Sequence, residues 1–212
     1  MVVFLLTLMP LSYWAVQYLF DQDNVRMTDR ILPFFYGLVV AVPVILFQWG
    51  LDVYFPLNWS PMGIYSYTFF NKEGIILYPV LLFLFLIFRK KSYTGIPLRE
   101  LTAWLCGYYF MFSISEALVL KAAVTPYTAV LLPLIRLFTV LLAAVLLCRS
   151  FLSEGNVKKT VFTVLLFVLP LFLNALPVMN IVNRMVLFYI TLIILGGASK
   201  VLYYLESRGA LG

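Results

Sequence analysis

The chain has 212 residues, of which 64% are hydrophobic and 11% charged. A soluble domain runs nearer roughly 45–50% apolar and about 25% charged, so the composition excludes an ordinary water-soluble fold. The net charge of +6 does not point to nucleic acid. The basic residues sit in short segments between apolar runs, which suits orientation in a lipid bilayer and contact with anionic lipid.

The apolar runs predict seven transmembrane helices, since a span needs about 20 mostly apolar residues. The first is residues 2–20. It lacks the basic start and small-residue cleavage site of a signal peptide and is read as a retained span. Asp21–Arg30 is a polar loop or short surface helix, and the second span is 31–49. An aromatic, proline-containing stretch at 52–68 suits a membrane interface. The remaining spans are 69–88, 101–120, 127–148, 160–180 and 185–205. They leave no room for a soluble domain, so residues 1–212 form one all-α polytopic bundle.

Charge sets the orientation. Arg26, Arg30, Arg89, Lys90, Lys91, Arg99, Arg149, Lys158, Lys159 and Arg208 fall on one side of that arrangement. Lys72, Lys121 and Arg184 fall on the other. Basic loops stay in the cytoplasm, so the N-terminus is expected outside and the C-terminus inside.

Prolines Pro10, Pro43, Pro79, Pro133, Pro170 and Pro177 fall within spans, where neighbouring helices can satisfy the carbonyls they free. Small residues four apart, Gly37/Ala41 and Ala103/Gly107, predict close helix packing. So does Gly196-Gly197-Ala198-Ser199.

Ionisable groups inside spans are costly and are expected to be paired. Glu73, Glu116, Arg136 and Lys200 qualify, with the amide of Asn174 beside them. At about 1.5 Å of rise per residue, Glu116 lies about 22 Å from the inner end of its span, Asn174 about 21 Å and Arg136 about 18 Å. They share a layer in the outer half of the membrane. The expectation is an interhelical ion pair between Glu116 and Arg136, with Asn174 and Glu73 completing the cluster. The cluster either fixes helix register or carries a function. Lys200 can reach the cytoplasmic surface along its own stem.

Familiar catalytic signatures are absent. There is no histidine, and no HExxH, GxSxG, P-loop or GxGxxG pattern. Ser113 and Ser115 have no base beside them in the sequence. Cys106 and Cys148 are isolated in apolar runs, so neither a disulfide framework nor a zinc site is expected. No cofactor or metal is implied.

The stretch Leu11–Gln48 resembles the PrsW family of intramembrane proteases. It has a first span, an acidic loop at Asp21–Asn24, the basic Arg26, then Phe34-Phe35-x-Gly37 and Pro43 before Gln48. Phe112-Ser-Ile-Ser-Glu116 is similar to the family's FxxxE motif. Leu131-Leu132-Pro133 with Arg136 resembles a segment where the family has a histidine. Pro170-Leu-Phe-Leu-Asn174 resembles its HxxxD helix. The resemblance implies a CAAX-protease-like membrane fold in a bacterial cytoplasmic membrane, with Glu116, Arg136 and Asn174 at or near catalytic positions. The chain departs from the pattern at three places. No EExxK motif is present, Asn174 stands for the histidine, and Val178 stands for the aspartate. Asparagine is no general base near neutral pH.

The leading expectation is therefore a PrsW-like protein, non-catalytic or weakly catalytic, that binds a membrane protein or lipid in a helix-lined groove. The alternatives are an active intramembrane peptidase using Glu116 on a single-span substrate, and a small transporter or transport-complex subunit.

Overall fold

A computed structural model describes residues 11–16, 28–54, 58, 60–67, 98–119, 132–152 and 155–208. Among them the regular structure is entirely α-helical. After a helical segment at 11–16, the helices are α1 (Thr28–Tyr54), α2 (Pro61–Tyr67), α3 (Leu98–Val119), α4 (Leu132–Leu152), α5 (Asn156–Ile181) and α6 (Met185–Ser207). The span expected at 69–88 lies outside the described residues, as do most of the first span and residues 120–131.

The expected spans at 31–49, 160–180 and 185–205 sit within these helices, and the described parts of 101–120 and 127–148 are helical, but the connections are shorter than the charge pattern suggested. Residues 149–159 were expected as a loop. Helix α4 runs on to Leu152 and α5 begins at Asn156. Arg149, Lys158 and Lys159 therefore belong to helix ends, because a polar residue at a helix terminus can reach water without breaking the helix. Gly155 has φ +98°, and its carbonyl accepts the first bond of α5, from the Lys159 amide at 3.2 Å. The polar segment at 21–30 likewise gives up its last residues to α1, which starts at Thr28.

The interfacial stretch at 52–68 contains a helix the hydrophobic runs did not reveal. Ser60 caps α2, its Oγ accepting the Gly63 amide at 3.0 Å. Pro61 follows at the first helical position, where a missing N–H costs nothing.

The α5–α6 turn has a specific chemical cause. Asn183 adopts φ +56°, a left-handed conformation that asparagine tolerates better than most residues. The Arg184 amide then donates back to the Met179 carbonyl at 2.9 Å. This six-to-one bond closes the end of α5 and sends the chain back as α6.

Helix α4 is the centre of the bundle. Val140, Leu141 and the run from Ala143 to Cys148 are all buried, and α3, α5 and α6 pack around it. Helix α1 packs on the far side of α3, and there the small residues decide the fit. A Cβ at Gly37 would overlap the Trp104 carbonyl oxygen, and one at Gly107 would overlap the Phe34 carbonyl oxygen. Ala41 and Ala103 are buried beside them. Both expected small-residue pairs thus lie in one seam, where backbones approach too closely for any side chain. Gly196 similarly makes room for the Phe138 ring between α6 and α4. Gly197 faces open space.

Among the described residues one helix, Met185–Ser207, is long and apolar enough to cross a membrane, with a mean hydropathy of 2.0 in its best window. Ile31–Phe47 of α1 is a shorter apolar stretch.

Candidate functional site

The candidate site begins with the sequence of α3. Leu101, Trp104, Leu105, Tyr108, Tyr109 and Phe112 are buried along it. The Tyr108 and Phe112 rings stack with centroids 6.0 Å apart, and Tyr109 meets Tyr108 edge-on at 5.3 Å. The wall ends at Ser113, which is fully buried.

Arg136 of α4 projects against this end of the wall. It is only 3% exposed. Its Nη1 donates to Ser113 Oγ at 2.6 Å, and its guanidinium carbon sits 5.4 Å from the centre of the Phe112 ring. A hydroxyl oxygen and the negative face of an aromatic ring both favour a cation in a medium that cannot solvate it. A buried guanidinium is otherwise among the most expensive groups a fold can hold.

Three other buried hydroxyls donate to carbonyls of their own helices. Thr102 donates to Leu98 O at 2.7 Å, Thr139 to Ile135 O at 2.8 Å and Ser199 to Gly196 O at 2.9 Å. Such back-bonding lets a small polar residue enter an apolar core. Ser113 differs because its oxygen accepts from a charged group on another helix.

The sequence named Glu116, Asn174 and Glu73 as companions of Arg136. Glu116 follows Ser113 by three residues on α3, and Asn174 occupies α5. The side chains of both lie outside the described residues, as does the whole of Glu73. The expected Glu116–Arg136 pair therefore falls outside the description. Lys200 is exposed on α6.

Ser113 carries no charge and was not among the expected partners of Arg136, but its depth in the helix marks it. Ser113 lies 12 residues from the start of the span at 101, and Arg136 lies 12 residues from the end of the span at 148. Both come out at about 18 Å, a closer match than Glu116 at about 22 Å.

A second polar junction ties the helix ends. Arg149 Nε donates to Glu206 Oε2 at 2.5 Å, with the two side chains 13% and 9% exposed. Cys148 Sγ lies 3.8 Å from Glu206 Oε1. Close by, Thr102 Oγ1 and Tyr203 Oη meet at 3.4 Å. The start of α3 and the ends of α4 and α6 therefore share one end of the bundle. Among the described residues, no group of three or more His, Cys, Asp or Glu side chains could hold a metal ion.

No protein-family model, curated protein or solved structure matches the chain.

Proposed function

We propose that the chain is a polytopic membrane protein of about seven spans in a bacterial cytoplasmic membrane, N-terminus outside and C-terminus inside. On this reading it keeps a PrsW-like scaffold without a working peptidase centre. It uses the helix-lined region around Arg136 and Glu116 to bind a membrane protein or a lipid.

The observation that carries the membrane part is the distribution of polarity, which runs opposite to that of a protein in water. Arg136, Ser113, Thr102, Thr139 and Ser199 are buried. The outer faces are apolar. Phe35, Val39 and Leu46 of α1 are 53%, 59% and 59% exposed, and Val186, Ile193 and Ile194 of α6 are 75%, 72% and 66% exposed. A helix apolar on all sides belongs in a bilayer or a large protein core. Strips of this kind facing water would be an aggregation hazard.

The shared end of α3, α4 and α6 supports the same topology. It gathers the ends that the charge asymmetry assigns to the cytoplasm, with Arg149, Glu206 and Arg208 among them. The ends of α4 and α6 meet at Arg149 and Glu206, and the turn at 182–184 reverses the chain between α5 and α6, so α4, α5 and α6 alternate in direction, as successive spans must.

The loss of catalysis is supported by Asn174 and Val178, which stand where the resemblance places a histidine and an aspartate. The test is cleavage of membrane-anchored substrates by the purified protein, run beside crosslinking in cells. The reading expects no cleavage that depends on Glu116 and a specific membrane partner or lipid captured near Arg136. Cleavage abolished by Glu116→Gln would replace it with an active peptidase.

A further inference from the structure

The first turns of α5 carry a feature that the bundle itself does not use. Asn156, Val157, Thr160, Val161, Val164 and Leu165 line a shallow groove of about 430 Å³. Val157, Val161, Val164 and Leu165 are 78%, 50%, 53% and 44% exposed. Their spacing of three and four residues makes a continuous apolar strip along one face. From Asn156 to Leu165 it runs about 14 Å along the helix axis.

The two ends of this strip differ in charge. Its start is the N-terminus of α5, where the first amides have no acceptor within the helix and the helix dipole is positive. The Thr160 hydroxyl is already engaged, donating to Asn156 O at 2.8 Å. Lys158 and Lys159 are both exposed. At about 100° of rotation per residue, Lys158 borders the strip and Lys159 falls on the opposite side of the helix. The groove therefore offers one flanking cation and a helix N-terminus at its mouth, followed by apolar lining.

We propose that this groove seats one anionic phospholipid of the inner leaflet. Its phosphate lies against Lys158 and the α5 N-terminus, and one acyl chain lies along Val157, Val161, Val164 and Leu165. The proposal rests on the membrane reading above, which places the start of α5 at the cytoplasmic surface. It fits the direction of the groove, which runs from that surface toward the bilayer centre as an acyl chain does. A zwitterionic lipid brings its own cation to Lys158 and gives up the attraction.

The test uses the full chain in lipid nanodiscs with photoreactive phosphatidylglycerol or phosphatidylcholine, mapping the labelled peptides by mass spectrometry. The anionic probe is expected to label residues 157–165 in preference to the zwitterionic one. K158Q should reduce that labelling about fivefold, which corresponds to about 1 kcal/mol for one basic residue at an anionic surface. K159Q should leave it unchanged. Equal labelling of the groove by both probes, or equal loss in K158Q and K159Q, overturns the proposal. The exposed strip of α6 around Ile193 and Ile194 serves as the reference and should take both probes alike. If neither probe labels it, the membrane reading itself fails.

Discussion

Helix α3 meets α1 through glycine and meets α4 through a hydroxyl and a guanidinium. At the α1 seam, Gly37 and Gly107 bring backbone against backbone, and stability comes from van der Waals contact that any added atom destroys. At the α4 seam, Ser113, Phe112 and Arg136 hold a charge away from solvent, and stability depends on each member having its partner. The first seam is intolerant of size and the second of lost polarity.

Substitutions at four main positions, the first two at these seams and the other two at helix ends, test this difference, beginning with the most damaging. Gly107→Leu should prevent assembly of α1 on α3, because the Phe34 backbone cannot yield as a flexible side chain can. A loss above about 3 kcal/mol is expected, beyond the usual cost of overpacking. Thermal unfolding in detergent would measure it. Gly197→Leu, which enters open space, should be close to neutral.

Ser113→Ala comes next. It leaves Arg136 buried with one acceptor fewer and should cost about 1–3 kcal/mol. Adding Arg136→Met should recover much of that loss, since an apolar replacement of similar length removes the need for a partner. A double-mutant cycle reads the coupling, and simple additivity of the two changes would contradict the polar seam.

Arg149→Gln should cost about 1 kcal/mol, less than a fully buried pair because its junction with Glu206 keeps some contact with the surface. The charge-exchanged double variant, Arg149→Glu with Glu206→Arg, should restore stability relative to either single reversal. The smallest effect is that of glycine at the α5–α6 turn, with valine there as its contrast. Asn183→Gly should be neutral within about 0.5 kcal/mol, whereas Asn183→Val should cost about 1–2 kcal/mol because the branched side chain resists a left-handed backbone. The same unfolding assay ranks all four.

The two seams were also unequally legible in the sequence. Gly37/Ala41 and Ala103/Gly107 are patterns along single helices, and small residues four apart have one dominant use between helices. The helices α1 and α3 to α6 were legible because apolar run length is a local property. The polar seam is a relation between two helices, and its Ser113 half carries no charge to single it out in a sequence. Ser113 lies nearer than Glu116 to the depth of Arg136, while the expected Glu116 pair lies outside the described residues. The Arg149–Glu206 junction was missed for a different reason. Glu206 lies one residue beyond the expected span at 185–205, yet α6 continues to Ser207. Helix α2 did leave a signal, Ser60-Pro61, that run length alone could not weigh.

The most direct test of the account is the sidedness of the two ends of α5. Asn156→Cys and Val182→Cys place single reporters at exposed sites on opposite ends of that helix, while the native Cys106 and Cys148 are buried. A membrane-impermeant maleimide applied to intact spheroplasts should label the cysteine at 182 at once. It should reach the one at 156 only after the membrane is permeabilised. Labelling of both sites from the same side would contradict a helix α5 that crosses the bilayer, and with it the inverted arrangement of a buried arginine inside an apolar shell.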